Sequence, residues 1–215
     1  MLPQNLDAAQ VRVLGSLVEK ELSTPDHYPL SLNALISACN QSSNREPVTA
    51  LDESAVSGAV AALRRLSLVR SFPASGERVP KYRHLLATTD ELSRAELAVL
   101  CVLMLRGPQT VAEVRSRAAR LMPGDEIDGL AAALEGLIAR DPAAVIRLPR
   151  RPGQKEARYA HLLAGDVVHE EEDAVVPAPV AYTDRIAALE QVALELRSEM
   201  TDLRAQFEAF RKQFE

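Results

Sequence analysis

Lys81-Tyr82-Arg83-His84-Leu85-Leu86 returns late in the chain as Ala157-Arg158-Tyr159-Ala160-His161-Leu162-Leu163. Tyr82, His84, Leu85 and Leu86 match Tyr159, His161, Leu162 and Leu163. Upstream, Val56-Ser57-Gly58 matches Ile127-Asp128-Gly129, Ala62-Leu63 matches Ala133-Leu134, and Leu66 matches Leu137. Each copy opens on an apolar, helix-like stretch, residues 7–20 and 93–105. Two tandem copies of one small fold is the economical reading.

In the first copy, Asp7 is placed to cap a helix, with Gln10 at its third position. Val11, Leu14, Leu17 and Val18 give that helix one apolar face. Pro25 and Pro29 end it, and Ser31 caps a short second helix carrying Leu32, Leu35 and Ile36. A polar loop, residues 40–47, follows. Asp52 caps a third helix with Val56, Val60, Leu63 and Leu66 on its buried side. Leu68, Val69 and Phe72 then read as a strand, and residues 82–86 as its return after a turn-rich tip. Three helices and a hairpin predict a winged helix over residues 1–90.

The second copy, residues 91–165, repeats the pattern. Ser93 with Glu96, and Thr110 with Glu113, are capping-box pairs. Asp125 is the expected cap of the third helix, whose broad apolar face holds Ile127, Leu130, Ala131, Leu134, Leu137 and Ile138. Ala144, Ile146 and Leu148 alternate into a strand, and residues 159–163 return. The predicted class is therefore mainly α with small β hairpins: tandem winged-helix (winged helix-turn-helix) domains.

An acidic, Pro-containing linker follows at 166–181, with the self-repelling run Glu170-Glu171-Glu172-Asp173. Residues 182–215 predict an amphipathic helix with a coiled-coil pattern. Ile186, Ala193, Met200 and Phe207 fall at a, and Leu189, Leu196, Leu203 and Phe210 at d. Arg185 with Glu190 and Glu199 with Arg204 are opposite-charge g–e pairs between parallel strands. These eight apolar residues are the dimerisation candidates of an expected homodimer; docking back on the chain's own body is the alternative.

With no Trp and only 4% aromatics, the core is aliphatic. No segment approaches the roughly 20 apolar residues that span a bilayer, so no membrane partner is expected. Cys39 and Cys101 read as reduced, buried thiols of a cytoplasmic protein. The net charge of −5 is uneven: residues 1–90 balance, 91–165 carry +2 and 166–215 carry −7. Acidity in the tail leaves DNA binding by the body open, while excluding a strongly basic non-specific binder.

Tyr28-Pro29-Leu30-Ser31-Leu32-Asn33, Ala38-Cys39-Asn40-Gln41, Ser43-Asn44-Arg45, Pro47-Val48 and residues 148–156 are specific enough to carry a resemblance. Together with Glu19-Lys20, Thr24-Pro25 and Gly107-Pro108-Gln109-Thr110, they closely resemble the YceH-like family of bacterial proteins over about residues 6–164. Ser23 and Ser42 depart from a more usual Thr and Lys. The resemblance implies tandem winged-helix domains. It implies no catalytic residues, and a winged helix serves either DNA or protein partners.

For double-stranded DNA the candidates are cations. Arg64 and Arg65 close the third helix of copy one, whose exposed side carries Ser54, Ser57 and Ala61. Arg147, Arg150, Arg151, Lys155 and Arg158 make the second hairpin basic, offset only by Glu156. Arg45 is the expected exposed contact of the polar loop, whereas Asn40 and Asn44 are expected to satisfy the loop itself. The matching helix of copy two offers Asp128 and Glu135, which suits a protein-contacting face instead. His84 and His161 are expected to support their hairpins. No Cys, His or acid spacing suggests a metal, and no glycine loop or paired carboxylates suggest a cofactor or catalysis. The expectation is a non-enzymatic protein that binds DNA, or alternatively a protein-interaction adaptor with an unidentified protein partner.

Overall fold

A computed structural model describes residues 2–72, 79–122, 124–150, 153–165, 191, 197, 198 and 200. Residues 1–167 form one compact unit, and residues 168–215 a second. Arg151 and the dimerisation candidates other than Met200 lie outside the described residues; Met200 itself is 51% exposed.

The protein is mainly helical, with two small antiparallel sheets. Helix α1, Ala8–Ser23, starts on a full capping box between Asp7 and Gln10. Its end comes at Thr24, directly before Pro25. Strand β1, Leu30–Ser31, leads into α2, Leu32–Cys39, capped by Ser31. Helix α3, Glu53–Arg65, is capped by Asp52. Strands β2, Val69–Phe72, and β3, Lys81–His84, form a hairpin in the register Val69↔His84 to Phe72↔Lys81.

Two details differ from the expected layout. Strand β1 adds to that layout, since Leu30 and the cap residue Ser31 are too few to show alternation; it pairs Leu30 with Tyr82, giving the order β1-β3-β2. Leu86, expected in the return strand, instead begins the short helix α4, Leu86–Thr89.

The second copy opens on α5, Arg94–Arg106, with the Ser93–Glu96 box formed. Helix α6, Val111–Ala118, has the Thr110–Glu113 box. The next helix does not begin at Asp125. Residues Gly124–Gly129 instead form a 3-10 segment, and α7, Leu130–Ala139, starts at Gly129 without a side-chain cap. Two glycines and two aspartates in that segment favour α-helix weakly, which explains the tighter winding. Strands β4, Val145–Arg147, and β5, Tyr159–His161, make the second hairpin. Its facing departs from the expected alternation at Ile146, which is 39% exposed, whereas Ala144 and Val145 are both buried. In place of a third strand, Gln109 bridges Tyr159 through two backbone hydrogen bonds of 3.0 and 2.8 Å.

The first helices of the two copies pack on each other, and one continuous apolar core runs through both copies. Every residue from Leu97 to Leu105 is buried, so α5 has no solvent face along that stretch. Where the helices cross, the Cys101 thiol lies 3.7 Å from the Gly15 carbonyl oxygen. Counted from the caps Asp7 and Ser93, these two occupy equivalent positions. The N-terminal residues cross over as well: the Leu6 amide donates to the Leu163 carbonyl at 2.8 Å, and Gln4 Nε2 to that of Ala143 at 3.0 Å.

Candidate nucleic-acid interface

Placement of the seven basic candidates among the described residues separates those that hold the fold from those that face outward. Arg45 is corrected first: it is buried, at 5% exposure, and is no surface contact. Its Nη2 donates to Glu19 Oε2 at 2.5 Å, where both side chains are wholly buried. Its Nε and Nη2 also donate to the Ala38 carbonyl at 3.1 and 2.7 Å, and Nη1 to that of Asn44 at 3.0 Å. The other Glu19 oxygen accepts from Arg120 of the second copy, also at 2.5 Å. Burial alone would push the Glu19 carboxyl up, yet hydrogen bonds and charge from Arg45 and Arg120 hold it below the ordinary value.

The rest of the 40–49 loop serves the same junction. Asn40 binds both the amide and the carbonyl of Leu51 at 2.8 Å, standing in for a backbone partner. Asn44, at φ 60°, accepts from Arg106 of α5 at 3.0 Å. The Glu46 amide donates to the Leu105 carbonyl at 2.8 Å. Arg12 donates to the Pro47 carbonyl at 2.6 Å. Asn40 and Asn44 thus play the structural role expected of them.

Arg158 is likewise occupied. Its two Nη atoms reach Glu113 at 2.9 and 3.2 Å, and Nη1 also donates to the Pro108 carbonyl at 2.8 Å. This fork ties the second hairpin to the cap of α6. Burial would raise the Glu113 carboxyl, but the Thr110 amide and Arg158 bring it below its ordinary value.

The matched histidines diverge. His84 is buried and its Nε2 meets Glu21, which Arg83 also approaches at 3.7 Å. Burial opposes ionisation of Glu21, but His84 and Arg83 outweigh it and lower its carboxyl's pKa. In the frame set by the two helix caps, Gly107 stands where Glu21 does, so His161 meets no acid there. Burial pushes His161 down to about 4. The sign follows: a histidine kept neutral in the fold but titrating near 6.5 unfolded contributes its full stability above pH 6.5 and loses it as pH falls toward 4. Unfolding by urea should therefore become easier by about 2–3 kcal/mol across that window. His161→Leu should remove that part of the slope, leaving the carboxylate contributions at lower pH.

Five candidates remain exposed: Arg64, Arg65, Arg147, Arg150 and Lys155. None makes an ion pair with another described residue. On α3, Ser54, Ser57, Gly58 and Ala61 are exposed, and a Cβ built on Gly58 would meet nothing within 4 Å. Ala61, Arg64 and Arg65 border an open cavity of about 670 Å³, completed by Ser67, Val69, Arg70, Ser71 and Leu85.

Arg70 is a cation that sequence reasoning missed. It pairs across the hairpin with Arg83, and both guanidinium carbons lie 5.6 Å from the centre of the Phe72 ring. The readable signal was alternation, since Arg70 follows buried Val69 in the strand. On the corresponding surface of the second copy, Asp128 of the 3-10 segment and Glu135 of α7 are exposed, and Asp128 accepts from Arg115 at 2.6 Å.

A family model described as "Protein of unknown function, DUF480" matches residues 6–154. The chain belongs to this family. It is 48% identical over 216 residues to a UPF0502 protein of Pelobacter propionicus, covering 98% of each chain. UPF0502 protein GSU0233 of Geobacter sulfurreducens is also 48% identical, again with 98% of each chain covered. UPF0502 protein Acid345_3645 of Koribacter versatilis is 52% identical over 158 residues, or 74% of this chain and 73% of that one. The family segment includes the polar loop and both opening helices and ends before β5. Among the described residues, no three His, Cys, Asp or Glu side chains group to hold a metal ion. No helix among them is long and apolar enough to cross a membrane.

Proposed function

We propose that this DUF480 protein is a non-enzymatic, DNA-binding member of the winged-helix class, with one winged domain at 1–90 and another at 91–165. The order helix, strand, helix, helix, hairpin in the first copy supports the winged-helix part. The observation that carries the DNA reading is the set of exposed cations without an ionic partner among the described residues, at the end of α3 and on the second hairpin. DNA phosphates supply the counter-charge those arginines lack.

Wild-type protein should bind duplex DNA at low salt with affinity that falls steeply as salt rises. Arg147→Ala combined with Arg150→Ala should lower the slope of log affinity against log salt by about 2, one for each phosphate no longer neutralised. No binding above background to a pool of genomic fragments at low salt would sink the reading.

The acidic surface formed by Asp128 of the 3-10 segment and Glu135 of α7, both exposed, favours a second reading for the second copy: a protein-interaction adaptor. Affinity capture with wild-type protein and with Glu135→Lys distinguishes it, since a partner seated there is released by charge reversal. We further propose homodimerisation through the heptad residues from Ile186 to Phe210, a reading supported by their periodicity. Sedimentation of the full chain and of one ending near residue 179 tests it; two monomers would remove the dimer.

A further inference from the structure

We infer that the first copy docks on DNA through the C-terminal end of α3 and strand β2, as a backbone anchor that does not read bases. This rests on the DNA-binding reading and fixes which end of the helix faces the nucleic acid. Helices of the helix-turn-helix kind generally approach base edges with their N-terminal residues. Here that end is acidic: Asp52 and Glu53 are both exposed. Phosphates would be repelled there.

The cations collect at the opposite end. Arg64, Arg65 and Arg70 surround the open cavity of about 670 Å³, and the Ser67 and Ser71 hydroxyls stand among them as further donors. The cavity's size and openness suit adjacent phosphates of a strand passing over it. Arg70 is also directly opposite Arg83, and like charges in that relation repel. Stacking on Phe72 holds both guanidiniums there, and the described acid near them, Glu21, lies against Arg83 and His84. A phosphate beside Arg70 would relieve the repulsion.

Between the two ends, α3 presents Ser54, Ser57, Gly58 and Ala61. Two hydroxyls and two side chains without hydrogen-bonding groups cannot make the bidentate contacts by which Arg, Asn or Gln distinguish base pairs. This face permits close approach while giving little sequence readout. The predicted complex therefore has a large salt dependence and a small preference among sequences.

The test uses the full chain and short duplexes of random and of fixed sequence, titrated by anisotropy over a range of salt. Arg64→Gln with Arg65→Gln should lower the salt slope by about 2, and adding Arg70→Gln should lower it by about 1 more. The weakening should be uniform across the duplexes. Circular dichroism establishes that these exposed substitutions leave the fold intact, and the single Arg70→Gln variant provides the same readout with less change. If wild type binds and the slopes do not move, the anchor is wrong while DNA binding stands. If selection from a random duplex pool yields a strong consensus that Ser57→Ala abolishes, α3 reads bases and the inference is overturned. If wild type binds no DNA but captures polyglutamate through these arginines, both the anchor and the DNA reading fail in favour of an acidic protein segment.

Discussion

Glu19→Leu should lower the stability of the protein by about 3–5 kcal/mol, the cost of breaking a buried ion pair from one side. The substitution leaves the Arg45 guanidinium without its carboxylate in a site where neither side chain has any solvent exposure. Arg45 would keep its bonds to the Ala38 and Asn44 carbonyls, but those are neutral acceptors and offset the charge only in part. Urea unfolding should show a shifted midpoint at constant m-value, and the melting temperature should fall by roughly 10 °C for a domain of this size. Arg120→Ala should cost far less, about 1 kcal/mol, because that side chain is 40% exposed and the remaining Glu19–Arg45 pair is intact. Adding Arg45→Met to Glu19→Leu should recover at least about 1 kcal/mol, since an apolar pair removes the stranded charge. Equal destabilisation by Glu19→Leu and Arg120→Ala would show that burial of the pair is not what matters. The pH sign is the same as for any depressed carboxyl: the stabilisation is complete above the unfolded value near 4.5 and disappears as pH falls through the lower folded value.

Leu105→Ala is the second large effect expected, about 2–5 kcal/mol, from reduced apolar burial and the cavity left behind. Leu105 is 1% exposed, and its Cδ2 would stand only 3.0 Å from a Cβ placed on Gly15. Met104 Cβ would be 3.1 Å from the same point. In the wild type, Gly15→Ala therefore forces a leucine tip and a neighbouring Cβ to shift, offsetting the roughly 1 kcal/mol that alanine gains over glycine within a helix. In the Leu105→Ala background the tip is gone, and the added methyl fills part of the hole. Gly15→Ala should then be more favourable than in the wild type, with only the Met104 Cβ left to give way. A double-mutant cycle by urea unfolding measures this, and simple additivity would mean the two helices do not constrain each other at the crossing.

The three capping boxes were legible because their signals are local. Asp7 with Gln10, Ser93 with Glu96, and Thr110 with Glu113 each lie within one turn, and all three boxes form. The repeated Tyr-x-His-Leu-Leu motif similarly located both hairpins. Local signals did not reveal the fate of Arg45, whose buried partner is 26 residues away in sequence, or the role of Arg120, 101 residues from the same carboxylate. A trace was nevertheless present. Arg12, Ser16 and Glu19 follow helical spacing along α1, and all three are buried. A polar stripe on a helix with an apolar face reads as solvated until a second helix is known to cover it. The divergence of His84 and His161 was hidden for the same reason: their letters match, while the acid that distinguishes them comes from another element. Arg70 stands apart from Arg64 and Arg65 in sequence, and only the turn into β2 gathers the three around one cavity.

The shared burial of α1 and α5 also has a consequence during synthesis. When the first copy emerges, the helix that will cover α1 has not yet been made, and Glu19 lacks Arg120. Leu6 likewise waits for the second copy, since its backbone partner is Leu163. The opening segment of the chain is thus completed near the end of the folded body, so the nascent protein must hold its first helix in reserve until most of its sequence has left the ribosome.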